Sequence, residues 1–186
     1  MPFILILVLL ALLTESFVTT WYSAAINAKV KEKLTILMPV IMTIVKTAFL
    51  ALGIFLGTKG SFMLPWLYLT MAYVLMFIIG LKMVLESMRF SPEERIILID
   101  NNKTILLLSV AGSFNTFFIG ICLGLIGTTV LHPVLFTFTG TLLLSSIAFF
   151  LGRKYGLRVL LRLTGIVAGA VICGIALRFF VLYYIS

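Results

Sequence analysis

Residues 3–26 read FILILVLLALLTESFVTTWYSAAI, an apolar stretch that is broken near its centre by a single carboxylate, Glu15. A membrane-spanning helix needs ~20 mostly apolar residues to cross the ~30 Å hydrocarbon core of a bilayer. The stretch meets that length, and it lacks the basic start of a secretory signal peptide. We therefore predict that it forms a first transmembrane helix, retained in the mature protein, with Glu15 near the middle of the membrane.

Five further apolar stretches follow along the chain. They cover about 34–57, 62–87, 104–125, 131–151 and 158–184. The hydrophobic residue types make up 62% of the 186 residues and the charged types only 11%, against ~45–50% and ~25% in soluble domains. Too few polar side chains exist to cover a water-soluble core. The sequence predicts an all-α integral membrane protein with six transmembrane helices.

Basic residues are concentrated on one side of the predicted membrane domain. Three of the connections or their flanks carry ten of them: Lys29, Lys31, Lys33, Lys82, Arg89, Arg95, Lys103, Arg153, Lys154 and Arg158. The opposite side carries Lys59 and Arg178. Because lysine and arginine accumulate in cytoplasmic loops, this asymmetry predicts a multi-pass protein of the cell inner (plasma) membrane with both termini outside.

Short matches between the two halves of the chain indicate an internal repeat. Glu15-Ser16-Phe17 is similar to Asn115-Thr116-Phe117, and FLGTK at 55–59 is similar to FLGRK at 150–154. Halves of three helices each have opposite orientations, which is a common plan in transporters with a site near the midplane. We predict one membrane domain, 1–186, built from two inverted three-helix repeats, 1–88 and 104–186. The cytoplasmic loop 89–103 joins them, and SPEE at 91–94 predicts a short interfacial helix there.

Two charged side chains fall within the predicted spans. Glu15 and Lys46 each lie near a helix centre, where a charge costs ~2.5–3.5 kcal/mol on insertion scales. Helices 1 and 2 are joined by a short loop and are expected to be antiparallel neighbours, so we predict an ion pair between these residues. The pair has two interpretations that the sequence leaves open. It is either a lock that fixes helix register or an ion or proton site.

Polar side chains extend from this pair along one stripe of each helix. Thr19 follows Glu15 at i+4, and Ser113 and Thr116 share a face of helix 4 with Asn115 beside it. Serine and threonine in membrane helices often bond only to their own backbone or to a neighbouring helix. We nevertheless predict a substrate or ion pathway lined by six residues: Glu15, Lys46, Asn115, Thr19, Ser113 and Thr116.

Small residues predict close helix packing. Gly53/Gly57, Gly120/Gly124 and Gly165/Gly169 form three GxxxG pairs, which let helix backbones approach each other. Packing within one chain is the favoured use, and a homodimer is the alternative.

Several classes of function are excluded by the sequence. It contains no HExxH, GxSxG or P-loop motif, so we predict that the protein is not an enzyme and holds no resident cofactor. The net charge of +8 is accounted for by membrane topology and does not indicate nucleic-acid binding. The expected partners are the lipid bilayer and a small cation or solute.

Three segments resemble one known family. GLKMVLE at 80–86 is similar to the Gly-x-[Arg/Lys]-Met-x-x-Glu end of helix 3 in the MntP-type manganese efflux pumps, which lie within the lysine-exporter-like superfamily. Ser145-Ser146 followed by LGR at 151–153, and the glycine-rich stretch 165–174, resemble the family's helices 5 and 6. The resemblance covers nearly the whole chain and implies six helices in two inverted halves.

The resemblance also implies positions for the site, with substitutions. The family's two intramembrane aspartates correspond to Glu15 and Asn115, and its acids in helices 2 and 6 correspond to Lys46 and Arg162. Manganese prefers hard oxygen ligands, so Glu15 and Asn115 are the predicted metal ligands for transported Mn²⁺. The alternatives are export of another small solute such as an amino acid, and a non-transporting membrane subunit that binds a partner protein.

Overall fold

Six long α-helices account for almost all of the described chain. A computed structural model describes residues 2–26, 32–63, 67–89, 102–156 and 160–185. The helices are α1 (Pro2–Ile26), α2 (Glu32–Met63), α3 (Tyr68–Arg89), α4 (Asn102–Leu125), α5 (Leu131–Tyr155) and α6 (Leu160–Ile185). All six are long and apolar enough to cross a membrane. The prediction of an all-α, multi-pass membrane protein with six transmembrane helices is confirmed.

The predicted end of helix 2 is wrong. A break was expected at residues 58–61, but α2 continues to Met63. The Thr58 hydroxyl donates to the carbonyls of Ile54 and Phe55, and such bonding within the helix lets a threonine remain in it. Helix α5, in contrast, ends at a glycine. Gly156 follows its last residue with a positive φ of 66°, which is easily reached only without a side chain.

The helices pack mainly against partners that are not adjacent in sequence. The extensive contacts are α2 with α4, α3 with α6 and α1 with α5. Helices α1 and α2 were expected to be antiparallel neighbours. Their backbones are not among the well-packed pairs in the described residues, and the two helices meet through long side chains instead. Short loops limit how far apart two helices lie, but side-chain complementarity decides which backbones touch.

Glycines hold α2 directly against α4. A Cβ on Gly57 would overlap the carbonyl oxygen of Ile121, and one on Gly120 would lie 2.7 Å from that of Leu50. Gly53 faces Gly120 and Gly57 faces Gly124, so these two helices run parallel. The predicted use of the GxxxG pairs for packing within one chain is confirmed here, whereas the homodimer stays a prediction.

Replacement of Gly57 by alanine should destabilise this crossing. The added methyl group would meet the Ile121 backbone, which cannot rotate away, and overpacking of this kind costs ~1–3 kcal/mol. The midpoint of thermal unfolding of the purified protein in detergent should fall. Gly174→Ala is the matched control, because a Cβ there meets nothing within 4 Å. Equal midpoints for the two variants would contradict the proposed tight crossing.

The helix contacts have the symmetry expected of two related halves. Exchange of α1, α2 and α3 for α4, α5 and α6 turns the α1–α5 contact into α4–α2 and the α1–α6 contact into α4–α3, and all of these are present. This pattern supports the inverted repeat and the half-repeat boundaries, which stay predictions. Most of loop 89–103, including its predicted short helix, lies outside the described residues.

Candidate functional site

The predicted ion pair is present in the middle of the bundle. Lys46 Nζ lies 3.5 Å from Glu15 Oε2, and it donates hydrogen bonds to Leu12 O at 3.0 Å and to Ser16 Oγ at 2.5 Å. The Lys46 side chain is 6% exposed and that of Glu15 is 17% exposed. The long lysine side chain therefore bridges two helices whose backbones do not pack together, and three oxygen atoms surround its ammonium group.

The pair continues into a longer polar chain. Asn115 Nδ2 donates to Glu15 Oε1 at 2.8 Å, and Lys82 Nζ donates to Asn115 Oδ1 at 2.8 Å. Lys82 Nζ also lies 3.6 Å from Glu86 Oε1. Charged and polar groups thus run without interruption from Lys46 in the buried interior to Glu86 near the end of α3.

A polar cavity of about 280 Å³ lies on the Glu15 side of this chain. Its walls come from the C-terminal halves of α1 and α3 and the N-terminal parts of α4 and α6. The polar lining residues are Glu15, Thr19, Lys82, Glu86, Ser87 and Asn115. Carboxylate oxygens, an amide oxygen and an ammonium group therefore meet in one cavity.

A much smaller cavity of about 20 Å³ lies on the Lys46 side. Its hydroxyl-bearing lining residues are Ser16, Thr19, Ser109, Ser113 and Thr141. Ser109 and Ser113 donate back to the carbonyls of Ile105 and Ser109, so their oxygen lone pairs remain available as acceptors. The volume suits a single water molecule.

Helix α5 presents a line of buried hydroxyl groups to the interior. Thr137, Thr141 and Ser145 follow at intervals of four residues, are fully buried, and have no hydrogen-bond partner among the described residues. The Thr116 hydroxyl on α4 is also buried and has no hydrogen-bond partner among the described residues. Buried hydroxyls ordinarily have a partner, so this face favours water or a polar solute over a dry apolar core.

A second large cavity lies at the opposite end of the bundle and is apolar. It has a volume of about 500 Å³ and includes Leu9, Tyr73, Leu123 and Phe179 in its lining. Fully buried Leu12 and Ile119 separate this space from Glu15 and Asn115 along α1 and α4. Buried apolar side chains therefore lie between the two cavities along these helices.

The six residues predicted for the pathway are only partly brought together. Glu15, Asn115 and Thr19 line the polar cavity, whereas Lys46 and Ser113 line the small one. Thr116 lines neither. The Thr19 hydroxyl donates to the Glu15 carbonyl, which is the backbone bonding that the sequence also allowed.

Lys82, Glu86 and the hydroxyls of α5 were not among the predicted site residues. Lys82 was counted only as a topology-setting charge, although its spacing of four from Glu86 is a signal for a pair on one helix face. The spacing of four between Thr137, Thr141 and Ser145 inside an apolar helix is a signal for the line of buried hydroxyl groups on α5. Arg162, which corresponds to the family's acid in helix 6, has a side chain outside the described part of the structure.

The polar cavity presents oxygen atoms as its possible ligands. No group of three His, Cys, Asp or Glu side chains gathers within the part of the chain that the structure describes. Two carboxylates and one amide oxygen line the cavity, and such hard donors suit Mn²⁺, Mg²⁺ or Ca²⁺ with water completing the coordination.

Comparison with known proteins gives one family. The family model described as "Putative manganese efflux pump" matches residues 28–180. The chain is 32% identical over 96 residues to a curated protein of Methanothermobacter thermautotrophicus with that description, named MntP, covering 52% of this chain and 48% of the relative. It is 30% identical over 92 residues to the MntP protein of Methanosphaera stadtmanae, covering 50% of this chain and 48% of that protein.

The matched regions span about half the length of these two curated relatives. No solved structure matches the chain.

Proposed function

Because this chain belongs to the manganese efflux pump family, we propose that it is a membrane transporter that exports Mn²⁺, with Glu15 and Asn115 as its central ligands. The observation that carries the proposal is the Glu15 carboxylate, which lies inside the membrane domain, is hydrogen-bonded to Asn115, and lines the polar cavity. Charged residues within a membrane are costly and are usually retained for a function.

The two residues offer oxygens on the same wall of the cavity. Asn115 Nδ2 donates to Glu15 Oε1, so the Glu15 carboxylate and the amide oxygen Oδ1 of Asn115 belong to adjacent side chains in the lining of one cavity. These are ligands that manganese accepts. The chain supplies no catalytic chemistry in this proposal, only binding and passage.

Lys46 keeps Glu15 in place without entering the substrate cavity. Two unit charges 4 Å apart interact by ~4 kcal/mol at an effective dielectric of ~20, so the Lys46 ammonium inside the cavity would add to the repulsion that a divalent cation already meets from Lys82. Lys46 does not line the polar cavity, and its ammonium already has Leu12 O, Ser16 Oγ and Glu15 as neighbours. In this proposal the ammonium of Lys46 interacts with these oxygen atoms and not with the substrate.

The position of the cavity supports export from the cytoplasm. It lies at the ends of α1, α3, α4 and α6 that the distribution of lysine and arginine assigns to the cytoplasmic side of an inner membrane. Apolar packing at Leu12 and Ile119 closes it on the other side. In this proposal the structure represents a transporter that receives its ion from the cytoplasm, with both termini outside.

Manganese uptake by energised inverted membrane vesicles tests the proposal. Vesicles with the protein should accumulate Mn²⁺ above vesicles without it. Asn115→Leu removes one proposed ligand, so its initial uptake rate at low Mn²⁺ should be about tenfold lower, as is typical when one member of a metal's ligand environment is lost.

Thr139→Val is the matched control for this assay. Thr139 is exposed on α5, and its hydroxyl bonds only to carbonyls of its own helix, so its uptake should equal that of the unaltered protein. Absence of uptake by the unaltered protein at any Mn²⁺ concentration would refute manganese export.

A zwitterionic solute such as an amino acid is the second candidate substrate, favoured by one observation. The polar cavity contains the ammonium of Lys82 as well as carboxylates, so it carries partners for both ends of a zwitterion. Lys46 is a poor partner for the substrate's carboxylate, because three oxygen atoms already surround its ammonium. The third hypothesis, a non-transporting subunit that binds a partner through loop 89–103, stays a prediction.

A further inference from the structure

The ammonium of Lys82 is hydrogen-bonded to Asn115 Oδ1, an oxygen that a cation in the polar cavity would need as a ligand. Its Nζ atom lies 2.8 Å from Asn115 Oδ1, and its side chain is 47% exposed, against 6% for Lys46. The ammonium group therefore stands at the accessible edge of the cavity, bonded to one of the two proposed ligands. It is itself a cation in hydrogen-bonding contact with a candidate substrate ligand.

The orientation of the Asn115 amide is fixed by its two neighbours. Its Nδ2 donates to the Glu15 carboxylate and its Oδ1 accepts from the Lys82 ammonium. A flipped amide would place NH₂ against an ammonium and a carbonyl against a carboxylate, which is unfavourable at both contacts. Oδ1 thus points to Lys82, and the lysine and an incoming cation compete for the same atom.

Glu86 offers Lys82 a second place to bind. It follows one helical turn later on α3, towards the end of the helix, and its Oε1 lies 3.6 Å from Lys82 Nζ. Glu86 is 41% exposed, so a lysine drawn towards it would move away from Asn115 without leaving a charge unpaired.

We propose that Lys82 closes the polar cavity by binding Asn115, and that the substrate cation must displace it towards Glu86. Lys82 is then a positioning residue that sets the affinity for the cation. This inference rests on the proposed function for the identity of the displacing cation, but not for the closure itself.

The closure is tested by the accessibility of a cysteine inside the cavity. Gly112 lines both polar cavities, and a Cβ there meets nothing within 4 Å, so Gly112→Cys is a well-tolerated reporter. Cys122 and Cys173 are first replaced by alanine. The rate of modification by a water-soluble maleimide is then measured on the purified protein in detergent. The maleimide is neutral, so that the loss of a charged side chain does not itself change the attraction of the reagent to the cavity.

Lys82→Met should raise the modification rate about fivefold, because a hydrogen bond from a charged donor no longer closes the cavity. Glu86→Gln should lower the rate, because Lys82 loses its alternative partner and stays on Asn115. Lys82→Arg should restore a rate near that of the unaltered residue. Lys103→Met is the matched control, an exposed lysine at the same end of the bundle, and should have no effect. An unchanged rate in Lys82→Met would overturn the closure.

Addition of Mn²⁺ alone to the same samples separates this inference from the proposed function. Mn²⁺ should slow modification of Gly112→Cys, and Lys82→Met should reach the same protection at an about fivefold lower Mn²⁺ concentration, since the competing cation is gone. Protection that needs as much Mn²⁺ in Lys82→Met as with Lys82 present would overturn the competition. If Mn²⁺ protects no variant while Lys82→Met still reacts faster, manganese binding is refuted and closure by Lys82 stands.

Discussion

A protein that carries both Glu15→Gln and Lys46→Met should fold and enter the membrane but transport no manganese. Glu15 lines the polar cavity and Lys46 does not, so the double replacement removes the carboxylate to which Asn115 donates and leaves neither member of the buried ion pair charged. Replacement of a buried ion pair by neutral groups of similar size is often neutral for stability. Mn²⁺ uptake by inverted vesicles, normalised to the amount of protein, should fall to the level of vesicles without it.

The double variant also decides between the two interpretations of the ion pair. If the pair were only a lock on helix register, neutral side chains of matching volume would serve as well, and uptake would persist. Persistent uptake with an unchanged unfolding midpoint would therefore remove Glu15 from the proposed site. Thr139→Val, whose hydroxyl bonds to its own helix, provides the reference for both readouts.

Lys46→Met alone should be among the most destabilising single replacements in the described chain. It would leave the Glu15 carboxylate with Asn115 as its remaining hydrogen-bond donor, inside a membrane domain. Removal of one partner from a buried pair typically costs ~3–5 kcal/mol, mostly through the uncompensated charge that remains. The thermal unfolding midpoint in detergent should fall sharply, and the monodisperse fraction should shrink.

Addition of Glu15→Gln to Lys46→Met should restore most of the lost stability, since it removes the unpaired charge. Lys103→Met provides the control for loss of an exposed lysine. If the double variant were no more stable than Lys46→Met, the destabilisation would come from lost packing of the lysine side chain and not from the carboxylate. Exchange of the two charges is a poorer test, because a carboxylate at position 46 would face the Leu12 carbonyl oxygen that Lys46 now binds.

The sequence predicts those features of the fold that depend on burial along one helix. Length and hydropathy identify all six helices, and the cost of charge in hydrocarbon correctly pairs Glu15 with Lys46. The family resemblance drawn from GLKMVLE at 80–86 is confirmed by the family match over residues 28–180. The end of α2 was misplaced because Thr58 and Gly60 were taken as breakers, whereas the Thr58 hydroxyl bonds within the helix.

The features that the sequence did not predict depend on contacts between distant segments. Helix order suggested that α1 packs on α2, but the glycines of α2 fit those of α4. Side chains join α1 to α2, among them Lys46 and the Thr20 hydroxyl, which lies 3.5 Å from Met42 Sδ. Lys82 was assigned to the membrane surface because its charge fits the topology rule. Its bond to Asn115 depends on how α3 crosses α4, which no local pattern encodes.

The glycine crossing limits how this protein changes shape. Where Gly53 and Gly57 meet Gly120 and Gly124, backbone lies against backbone, and no side chain is available to change rotamer and absorb a shift. We therefore expect helices α2 and α4 to move as one rigid unit in the proposed transport cycle. The boundary that moves is then expected where long polar side chains span between helices, at Lys46 to Glu15 and Lys82 to Asn115. The bonds that hold the proposed ion ligands would also be those that stretch when the unit moves.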